Sequence, residues 1–456
     1  MKETQPSLSN ASVGARVDRL PLCRFHHRFI TLISIGTWFD FFDLFMVGYL
    51  GAALQSYRFL TLHQFSAFVA AGFLGMFVGT IVQGALSDYI GRRSGFVLTL
   101  LIYSLFSIGG AFAPNPLVLI LMRFLSGIGI SGQQVIVDTY VSEMVPGRYR
   151  GRYVAINQTV GFSAVPVVAY ISRLLVPTHW LLDGWRWVMI IGGSGAVAAW
   201  VILRQIQESP RWLESKGRFA EAERIIGQIE EEVVRDTGQP LPPPNERIVV
   251  DTTHHPAPLK ELWMPAYRSR TIMLLIFNVL QTVGFFGFAN WAPTFLLREG
   301  RNLVQSLNYG FIFALMYPVG SLVATLTAER VERKRALVLL SVLMASTGLV
   351  FAFVRNAGTI IVIGAIMTVF LAWFSAVFHS YQAELFPTRA RATGVGFTYS
   401  ASRLSTVFST FIIGALLLHG VLAVFSFISL AMVGVALVIG IMGPSTNAVA
   451  LEKLST

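Results

Sequence analysis

Runs of about 20 apolar residues recur along the whole chain and restrict the folds it can adopt. A helix of that length crosses the apolar core of a bilayer, which is about 30 Å thick. Inside a bilayer the backbone must satisfy its own hydrogen bonds, so such runs predict membrane-spanning helices. Twelve runs can be drawn in the 456 residues: 29–54, 63–87, 94–113, 117–142, 153–176, 185–206, 271–297, 305–328, 335–354, 359–383, 393–418 and 421–443. The chain is therefore predicted to be an all-α membrane protein.

The composition agrees with a membrane protein and excludes an ordinary soluble domain. Hydrophobic residues make up 54% of the chain and charged residues only 13%, whereas soluble domains carry about 25% charged residues. The single cysteine, Cys23, excludes a disulfide framework. The formal net charge of +11 would suit a nucleic-acid-binding surface. It could also reflect the orientation of the chain in the membrane, and the positions of the basic residues distinguish the two interpretations.

The basic residues lie mostly on one side of the predicted spans. With both termini in the cytoplasm, most of the 35 Lys and Arg fall in the tails, the short cytoplasmic loops and the central linker. Those predicted on the other side are Arg58, Arg173, Arg186, Arg298, Arg301 and Arg355. This skew follows the positive-inside rule, so the charge indicates topology and not nucleic-acid binding. The short outer loops fit a multi-pass protein of a cell inner membrane.

The spans fall into two groups separated by a polar linker. We expect a cytoplasmic tail at 1–28, a six-helix bundle at 29–206, a cytoplasmic linker at 207–270, a second six-helix bundle at 271–443 and a tail at 444–456. The first tail is polar and basic and lacks the apolar core of a signal peptide. Within the linker, residues 220–235 can form a charged helix on the membrane face.

Two motifs show that the halves repeat. Asp88 and Arg92 after the second span correspond to Glu329 and Arg333 after the eighth, at an offset of 241 residues. The segment 143–150 after the fourth span corresponds to 384–391 after the tenth, at the same offset. Parallel repeats of six helices imply two pseudo-symmetric bundles related by an axis along the membrane normal, with a binding site between them.

On these loop motifs the chain resembles the major facilitator superfamily over essentially its whole length. The segment 208–213, Glu-Ser-Pro-Arg-Trp-Leu, followed by Lys216-Gly-Arg218, is similar to the sugar-porter-like branch. The segment 19–26 and the two aspartates of the first span look most like the nicotinate (niacin) proton symporters related to synaptic-vesicle glycoprotein 2. The resemblance implies proton-coupled transport by alternating access.

The charged residues of the repeated loops are predicted to act in gating. Acidic and basic side chains at helix ends can hold neighbouring helices together, and several weak pairs can bias a two-state rocking motion. The resemblance implies this role; the alternative is a solvated basic collar needed only for topology. The predicted gating residues are Asp88, Arg92, Glu143, Arg148, Arg150, Glu329, Arg333, Glu384, Arg389 and Arg391.

Asp43 and Arg123 are predicted to pair inside the membrane. Asp43 lies roughly 21 Å along its helix from Phe29, and Arg123 lies roughly 9 Å from the opposite end of its own helix. In a core of about 30 Å these depths coincide. The resemblance implies that Asp43 carries the proton, because a buried carboxylate separated from its arginine favours the neutral acid. The alternative is a static pair between the first and fourth spans.

Asp40 lies three residues before Asp43, nearer the midplane and on nearly the same face of the helix. A charge at that depth costs at least about 2.5–3.5 kcal/mol, so it is normally paired, exposed to a cavity or functional. Asp40 is therefore a second candidate for proton coupling or a substrate contact. It could also simply satisfy a neighbouring polar side chain.

Arg403 gives the main indication of substrate class. It lies roughly 15 Å into the eleventh span, at a depth where the second half carries no acid. A guanidinium facing a central cavity binds a carboxylate well, because its planar fork can form two parallel hydrogen bonds. The alternatives are a pair with Asp40 across the cavity and capping by backbone carbonyls.

The positions at which the sugar-porter resemblance places sugar ligands are largely changed. Gln158 and Gln281 are retained, but Phe286 stands where the family has Asn and His379 where it has a stacking Trp. Aromatic walls beside an arginine suit a flat ring bearing a carboxylate. The predicted substrate-binding residues are Arg403, Tyr399, His379, Gln281, Gln158, Phe286 and Trp373. For each aromatic residue, plain helix packing is the competing interpretation.

The sequence therefore predicts a proton-coupled symporter that imports a small aromatic monocarboxylate such as nicotinate. A neutral-sugar symporter and a membrane sensor that has lost transport are the alternatives. No phosphate-binding glycine loop or metal-binding motif is found in the sequence. We therefore expect no enzyme activity, no cofactor and no bound metal. The expected partners are an organic anion, a proton and lipid, not nucleic acid, and the chain is expected to be a monomer.

Overall fold

The structure, a computed structural model, is almost entirely helical. It describes residues 12–195, 197, 204–244, 259–327, 331–386 and 388–445, without the side chains of 84, 85, 132–135, 266, 383 and 388–392. In chain order the α-helices are α1 (Val13–Asp18), α2 (Arg24–Ser56), α3 (Leu62–Ile90), α4 (Arg92–Ala111), α5 (Pro116–Met144), α6 (Arg150–Leu175), α7 (Gly184–Gly193), α8 (Pro210–Ser215), α9 (Phe219–Thr237), α10 (Pro265–Ala289), α11 (Ala292–Arg298), α12 (Leu303–Ala314), α13 (Met316–Thr327), α14 (Arg333–Phe353), α15 (Ala357–Glu384), α16 (Thr388–Leu417) and α17 (Val421–Met442). A two-residue antiparallel pair, β1 (His179–Trp180) with β2 (Leu182–Asp183), precedes α7.

Eleven helical segments within the described residues are long and apolar enough to cross a membrane. They correspond to eleven of the twelve predicted spans. The remaining one, 185–206, begins as α7 (Gly184–Gly193), and its second part includes 196 and 198–203, which lie outside the described residues. The first span is longer than predicted, because α2 already begins at Arg24 within the expected tail.

Two predicted spans are interrupted, and a proline explains each break. The helix α10 ends at Ala289, and α12 ends at Ala314. Four residues later stand Pro293 and Pro318. Proline has no amide hydrogen to donate to the carbonyl four residues earlier, and its ring clashes with that carbonyl, so an α-helix breaks at such a position.

Glycines allow α3 and α5 to touch along their backbones. A methyl group built at Gly75 would collide with the carbonyl oxygen of Phe124, and one built at Gly127 would collide with that of Gly72. Close backbone approach of this kind is the common way for helices to pack in a membrane, where helix association gains little from the hydrophobic effect. The contact fixes the position of α5, which carries Arg123.

Replacing Gly127 by alanine is expected to disturb this contact, because the added methyl group has no free space. Overpacking of this type typically costs about 1–3 kcal/mol. Gly151→Ala is the matched control, since a methyl group at that helical position meets nothing within 4 Å. Melting temperature and the yield of monodisperse protein in detergent are the measurements. A Gly127→Ala protein that matches the control in both would contradict the proposed contact.

The short helix α1 docks on the linker helix α9 through ion pairs. Arg16 lies 2.5 Å from Glu223 and 2.7 Å from Glu230, and its side chain is only 5% exposed. Arg19 also pairs with Glu230, at 2.7 Å. Its hydrogen bond to Glu230 raises the pKa of Arg16. Burial favours the neutral form of Glu230, but the hydrogen bonds from Arg16 and Arg19 hold the pKa of this carboxyl group below its usual value.

The predicted tail is therefore partly structured, and it is tied to the first half of the chain as well as to α9. The carboxylate of Asp18 accepts a hydrogen bond from the backbone amide of Gly147, at 2.8 Å. The same carboxylate pairs with Arg150 and with Arg211, each at 3.0 Å. We call the end of the molecule that carries α1, α8 and α9 the linker end.

Replacing Arg16 by alanine is expected to lower the melting temperature clearly, because removing one partner of a buried pair leaves the other charge uncompensated, at a cost of about 3–5 kcal/mol. Arg24→Ala is the control: its side chain is 92% exposed beside Asp236, and such pairs contribute about 0–1 kcal/mol. Equal melting temperatures for the two variants would contradict a structural role of the α1 contact.

A comparison of wild type with Arg16→Ala at different pH values tests the role of Glu230. A glutamate whose pKa is lowered by folding stabilises the protein above its unfolded pKa, about 4.3, and this contribution is lost as the pH falls through the lower folded pKa. The stability difference between wild type and Arg16→Ala is therefore expected to shrink below about pH 4.3. If the stability difference between the two proteins stayed the same below about pH 4.3, the ionised carboxylate of Glu230 would not be its source.

The ends of the two halves opposite the linker end are in contact. The ring of Phe65 in α3 lies 4.9 Å from that of Trp291, just before α11. The hydroxyl group of Tyr49 in α2 donates a hydrogen bond to the carbonyl oxygen of Gly310 in α12, at 3.3 Å. At the linker end, by contrast, Tyr89 is 81% exposed. These contacts close the space between the halves from the side opposite the linker.

Candidate functional site

A small cavity lies between the halves, at the middle of the spans. It is lined from the first half by α2, α3, α5 and α6 and from the second half by α16, through Thr37, Asp40, Phe41, Leu44, Met76, Ile130, Ser131, Asn157, Gln158 and Arg403. Its free volume is about 30 Å³, which is enough for water but not for an aromatic acid. Binding of a larger molecule therefore requires the two halves to move apart.

Arg403 reaches this cavity from α16 and is 6% exposed. The residue four positions earlier, Tyr399, lies on the same face of the helix, and the guanidinium carbon of Arg403 is 5.0 Å from the centre of its ring. The ring of Phe286 lies 5.8 Å from the same carbon. The Nη1 atom of Arg403 is buried and has no hydrogen-bond partner among the described residues. The arginine is thus held between aromatic rings with a donor left free.

Asp40 faces the same cavity from α2. It is 6% exposed, and its Oδ1 atom is buried without a hydrogen-bond partner among the described residues. Although Asp40 and Arg403 line one cavity, they are not among the ion pairs within 4.0 Å that join described residues. The sequence left open a direct pair between these two residues, and the structure does not form it.

The predicted contact between Asp43 and Arg123 is present. The Nη1 atom of Arg123 donates a hydrogen bond to Oδ2 of Asp43, and both side chains are buried. The hydroxyl group of Ser107 in α4 donates to the other carboxylate oxygen, at 2.8 Å. The guanidinium group of Arg123 also lies over the ring of Phe68, 5.9 Å from its centre. Asp43 therefore has partners on both oxygens, unlike Asp40.

The other predicted substrate residues divide into two groups. Gln158 lines the cavity together with Arg403. Tyr399 and Phe286 lie beside Arg403 but, like Gln281, Trp373 and His379, they are not part of the cavity lining.

Gln281, Trp373 and His379 instead pack elsewhere within the second half. His379 packs against the ring of Phe378, with centres 4.1 Å apart, and lies 5.4 Å from the ring of Tyr399. Trp373 lies six residues before His379 on α15, so the two side chains point roughly 120° apart around the helix axis. Gln281 is buried in α10, with 3% exposed. The resemblance to sugar porters therefore did not ensure that these side chains face the cavity.

The gating motifs form similar pairs in the two halves. In the first half, Arg92 pairs with Asp88 and, at 3.1 Å, with Glu143. In the second half, Arg333 pairs with Glu384 at 3.1 Å. The positions of the Arg–Glu pairs differ by the same 241 residues as the motifs, so the repeat in sequence is also a repeat in contacts.

Other predicted gating residues have different contacts or cannot be described. Arg150 pairs with Asp18 of the N-terminal segment, at 3.0 Å. The guanidinium carbon of Arg148 lies 4.7 Å from the centre of the Tyr149 ring. Glu329 and the side chains of Arg389 and Arg391 lie outside the described residues.

Comparison with known proteins identifies the family. A family model described as "Sugar (and other) transporter" matches residues 31–456. The chain belongs to this sugar-transporter family. It is thus an integral membrane protein of the major facilitator superfamily, as the motifs predicted, and its relatives are transporters.

Relatives of this sugar-family transporter match it over nearly their full length. The putative metabolite transport protein YyaJ of Bacillus subtilis is 33% identical, over 98% of each chain. The niacin transporter NiaP of Acinetobacter baylyi is 30% identical, over 96% of this chain and 99% of its own. Among solved structures, a partially occluded inward open conformation of the xylose transporter XylE from E. coli is similar, with a TM-score of 0.76 at 17% identity, covering 94% of this chain and 100% of that one. The last similarity shows the shared fold.

The structure also reveals residues of this sugar-family transporter that the sequence did not single out. Ser107 holds Asp43, Asp18 holds Arg150, and Met76 and Ser131 line the cavity. Ser107 and Ser131 lie within predicted spans, where a polar residue is a weak signal by itself. Asp18 lies in the predicted tail, and only its acidic character among basic residues could have drawn attention to it.

Proposed function

We propose that this transporter imports a small aromatic monocarboxylate together with a proton, with nicotinate as the first candidate substrate. The observation that carries the proposal is the state of Arg403: buried, flanked by Tyr399 and Phe286, and facing the central cavity with a free donor. Such a group binds a carboxylate through charge-assisted hydrogen bonds, and the cavity lining also contains an aromatic side chain, Phe41, that suits a flat ligand. The 30% identity to a niacin transporter supports the same substrate class.

Asp43 is the proposed proton carrier. In the described conformation it is bound to Arg123 and Ser107, and a carboxylate bound in this way stays ionised. When the halves rock and this contact opens, a desolvated carboxylate takes up a proton. Arg123 cannot release its own, so the proton exchange takes place at Asp43. The Arg–Glu pairs of the loop motifs then contribute to the balance between the two conformations.

We further propose that the protein lies in a bacterial inner membrane as a monomer, with both termini and the linker in the cytoplasm. The distribution of basic residues supports this orientation. On this topology the contacts between Phe65 and Trp291 and between Tyr49 and Gly310 close the outer side.

A neutral-sugar symporter is the second candidate, because two amide side chains, Asn157 and Gln158, also line the cavity. Amide groups bind sugar hydroxyl groups through neutral hydrogen bonds. The sugar hypothesis, however, leaves the buried cation of Arg403 without a counter-charge, which is costly in a low-dielectric site.

Uptake measurements in proteoliposomes distinguish the nicotinate symporter from the sugar symporter. Purified full-length protein is reconstituted, and uptake of labelled nicotinate and of labelled xylose is measured with and without an inward proton gradient. We expect nicotinate to accumulate only with the gradient and xylose not to accumulate. Accumulation of xylose alone would favour the sugar symporter, and uptake of neither would contradict the proposed function.

A further inference from the structure

The central cavity contains two buried polar atoms of opposite hydrogen-bonding character. Oδ1 of Asp40 and Nη1 of Arg403 have no partner among the described residues, and both residues line the same space. A buried polar group without a partner costs about 1–3 kcal/mol. A pair of such groups in one cavity therefore indicates a ligand that can satisfy both.

Asp40 and Arg403 belong to different halves of the transporter. Asp40 lies on α2 and Arg403 on α16. A ligand that bonds to both side chains connects the halves across the space between them. By contrast, Asp43, one turn further along α2, is fully buried against Arg123 and Ser107 and is not part of the lining. The two aspartates thus have separate tasks, although they are only three residues apart.

The chemistry of Asp40 limits what it can bind. Asp40 has no arginine, lysine or histidine of the described residues within ion-pair distance, and burying an ionised carboxylate without a partner is very costly. Its neutral acid form has one hydrogen to donate and one carbonyl oxygen to accept with. The matching group on a ligand is a hydrogen-bond acceptor, such as the nitrogen atom of a heteroaromatic ring.

We propose that Asp40 is the second anchor of the substrate and selects acids whose ring carries an acceptor atom away from the carboxylate. This inference rests on the proposed function, because it assumes that the carboxylate binds Arg403. Phe41, one residue after Asp40, also lines the cavity, so an aromatic side chain lies near this anchor. The substrate class is therefore narrowed from aromatic acids in general to pyridine-carboxylate-like acids.

The test compares two acids of nearly the same shape, nicotinate and benzoate, which differ in the ring nitrogen. Binding of each acid to the purified full-length protein in detergent is measured by calorimetric titration. We expect wild type to bind nicotinate at least tenfold more tightly than benzoate. A site that holds a polar group for its ligand rejects an analogue lacking the complementary group, because the group of the site then stays unpaired.

Three variants locate this selectivity. Asp40→Ala is expected to remove the preference for nicotinate and to leave benzoate affinity within about twofold of wild type. Asp40→Asn keeps a donor in the side-chain amide, so it is expected to retain part of the preference. Asp183→Ala, which changes a partly exposed acid in the short β2 strand, is the control and is expected to behave as wild type.

The outcomes distinguish this inference from the function on which it rests. Equal affinity of wild type for both acids, or an equal loss of both in Asp40→Ala, would overturn the role of Asp40 while leaving carboxylate binding at Arg403 intact. Benzoate binding by Asp40→Ala also shows that the variant is folded. If wild type bound neither acid, the proposed function would fail and the inference with it.

Discussion

Replacing Arg403 by alanine is expected to reduce nicotinate binding and uptake by at least 100-fold. The guanidinium group is the only buried cation among the described residues of the cavity lining, and a charge-assisted contact to a carboxylate in a dry site is about twice as strong as a neutral hydrogen bond. Without it, the carboxylate of the substrate would be buried unpaired. Arg403→Lys is expected to fall between alanine and wild type, because lysine keeps the charge but lacks the planar fork.

The control for this experiment is Arg298→Ala, which removes an exposed arginine at the end of α11. Uptake in proteoliposomes and calorimetric binding are measured on the same preparations. Wild-type affinity in Arg403→Ala would exclude this residue as the carboxylate site. Loss of binding in both variants would point to a general effect of positive charge on the protein and not to a specific contact.

Replacing Asp43 by asparagine is expected to abolish accumulation driven by a proton gradient while preserving exchange of substrate across the membrane. Asparagine keeps the size of the side chain and a hydrogen-bonding oxygen for Arg123, but it cannot take up a proton. Gradient-driven uptake and counterflow exchange are measured in parallel. Retained exchange shows that the variant is folded, so loss of accumulation alone assigns the effect to coupling.

Two results would argue against this assignment. Full accumulation in Asp43→Asn would mean that the contact with Arg123 is a static link between helices. Loss of both accumulation and exchange would mean that the variant removes a structural contact, since breaking a buried pair costs about 3–5 kcal/mol. Asp183→Asn, at a partly exposed acid, is the matched control.

Helix geometry alone predicted the depth of several residues in the membrane. The rise per residue placed Asp43 and Arg123 at one level, and the structure brings them into contact. Tyr399 and Arg403 are four residues apart, a spacing that places them on one face of a helix, and they are in contact. These relations depend only on residue spacing within one helix or on the thickness of the membrane, so the sequence was sufficient to predict them.

The rotation of each helix about its own axis could not be predicted in the same way. Asp40 and Asp43 were expected on nearly the same face, but three residues correspond to an offset of about 60°. That offset separates the cavity from the contact with Arg123. For the same reason the sequence could not tell that Gln158 faces the cavity while Gln281 is buried elsewhere. Such differences depend on which neighbouring helix each face meets.

The docking of α1 and α9 bears on how the transporter moves. Asp18 joins this segment to Gly147 and Arg150 of the first half, so the segment is held to that half, although the linker continues into the second half. On the proposed rocking mechanism, this segment and the first half are therefore expected to move together relative to the second half. Spin labels on α9 and α4 would keep a constant separation through the cycle, whereas labels on α9 and α14 would report the change of access.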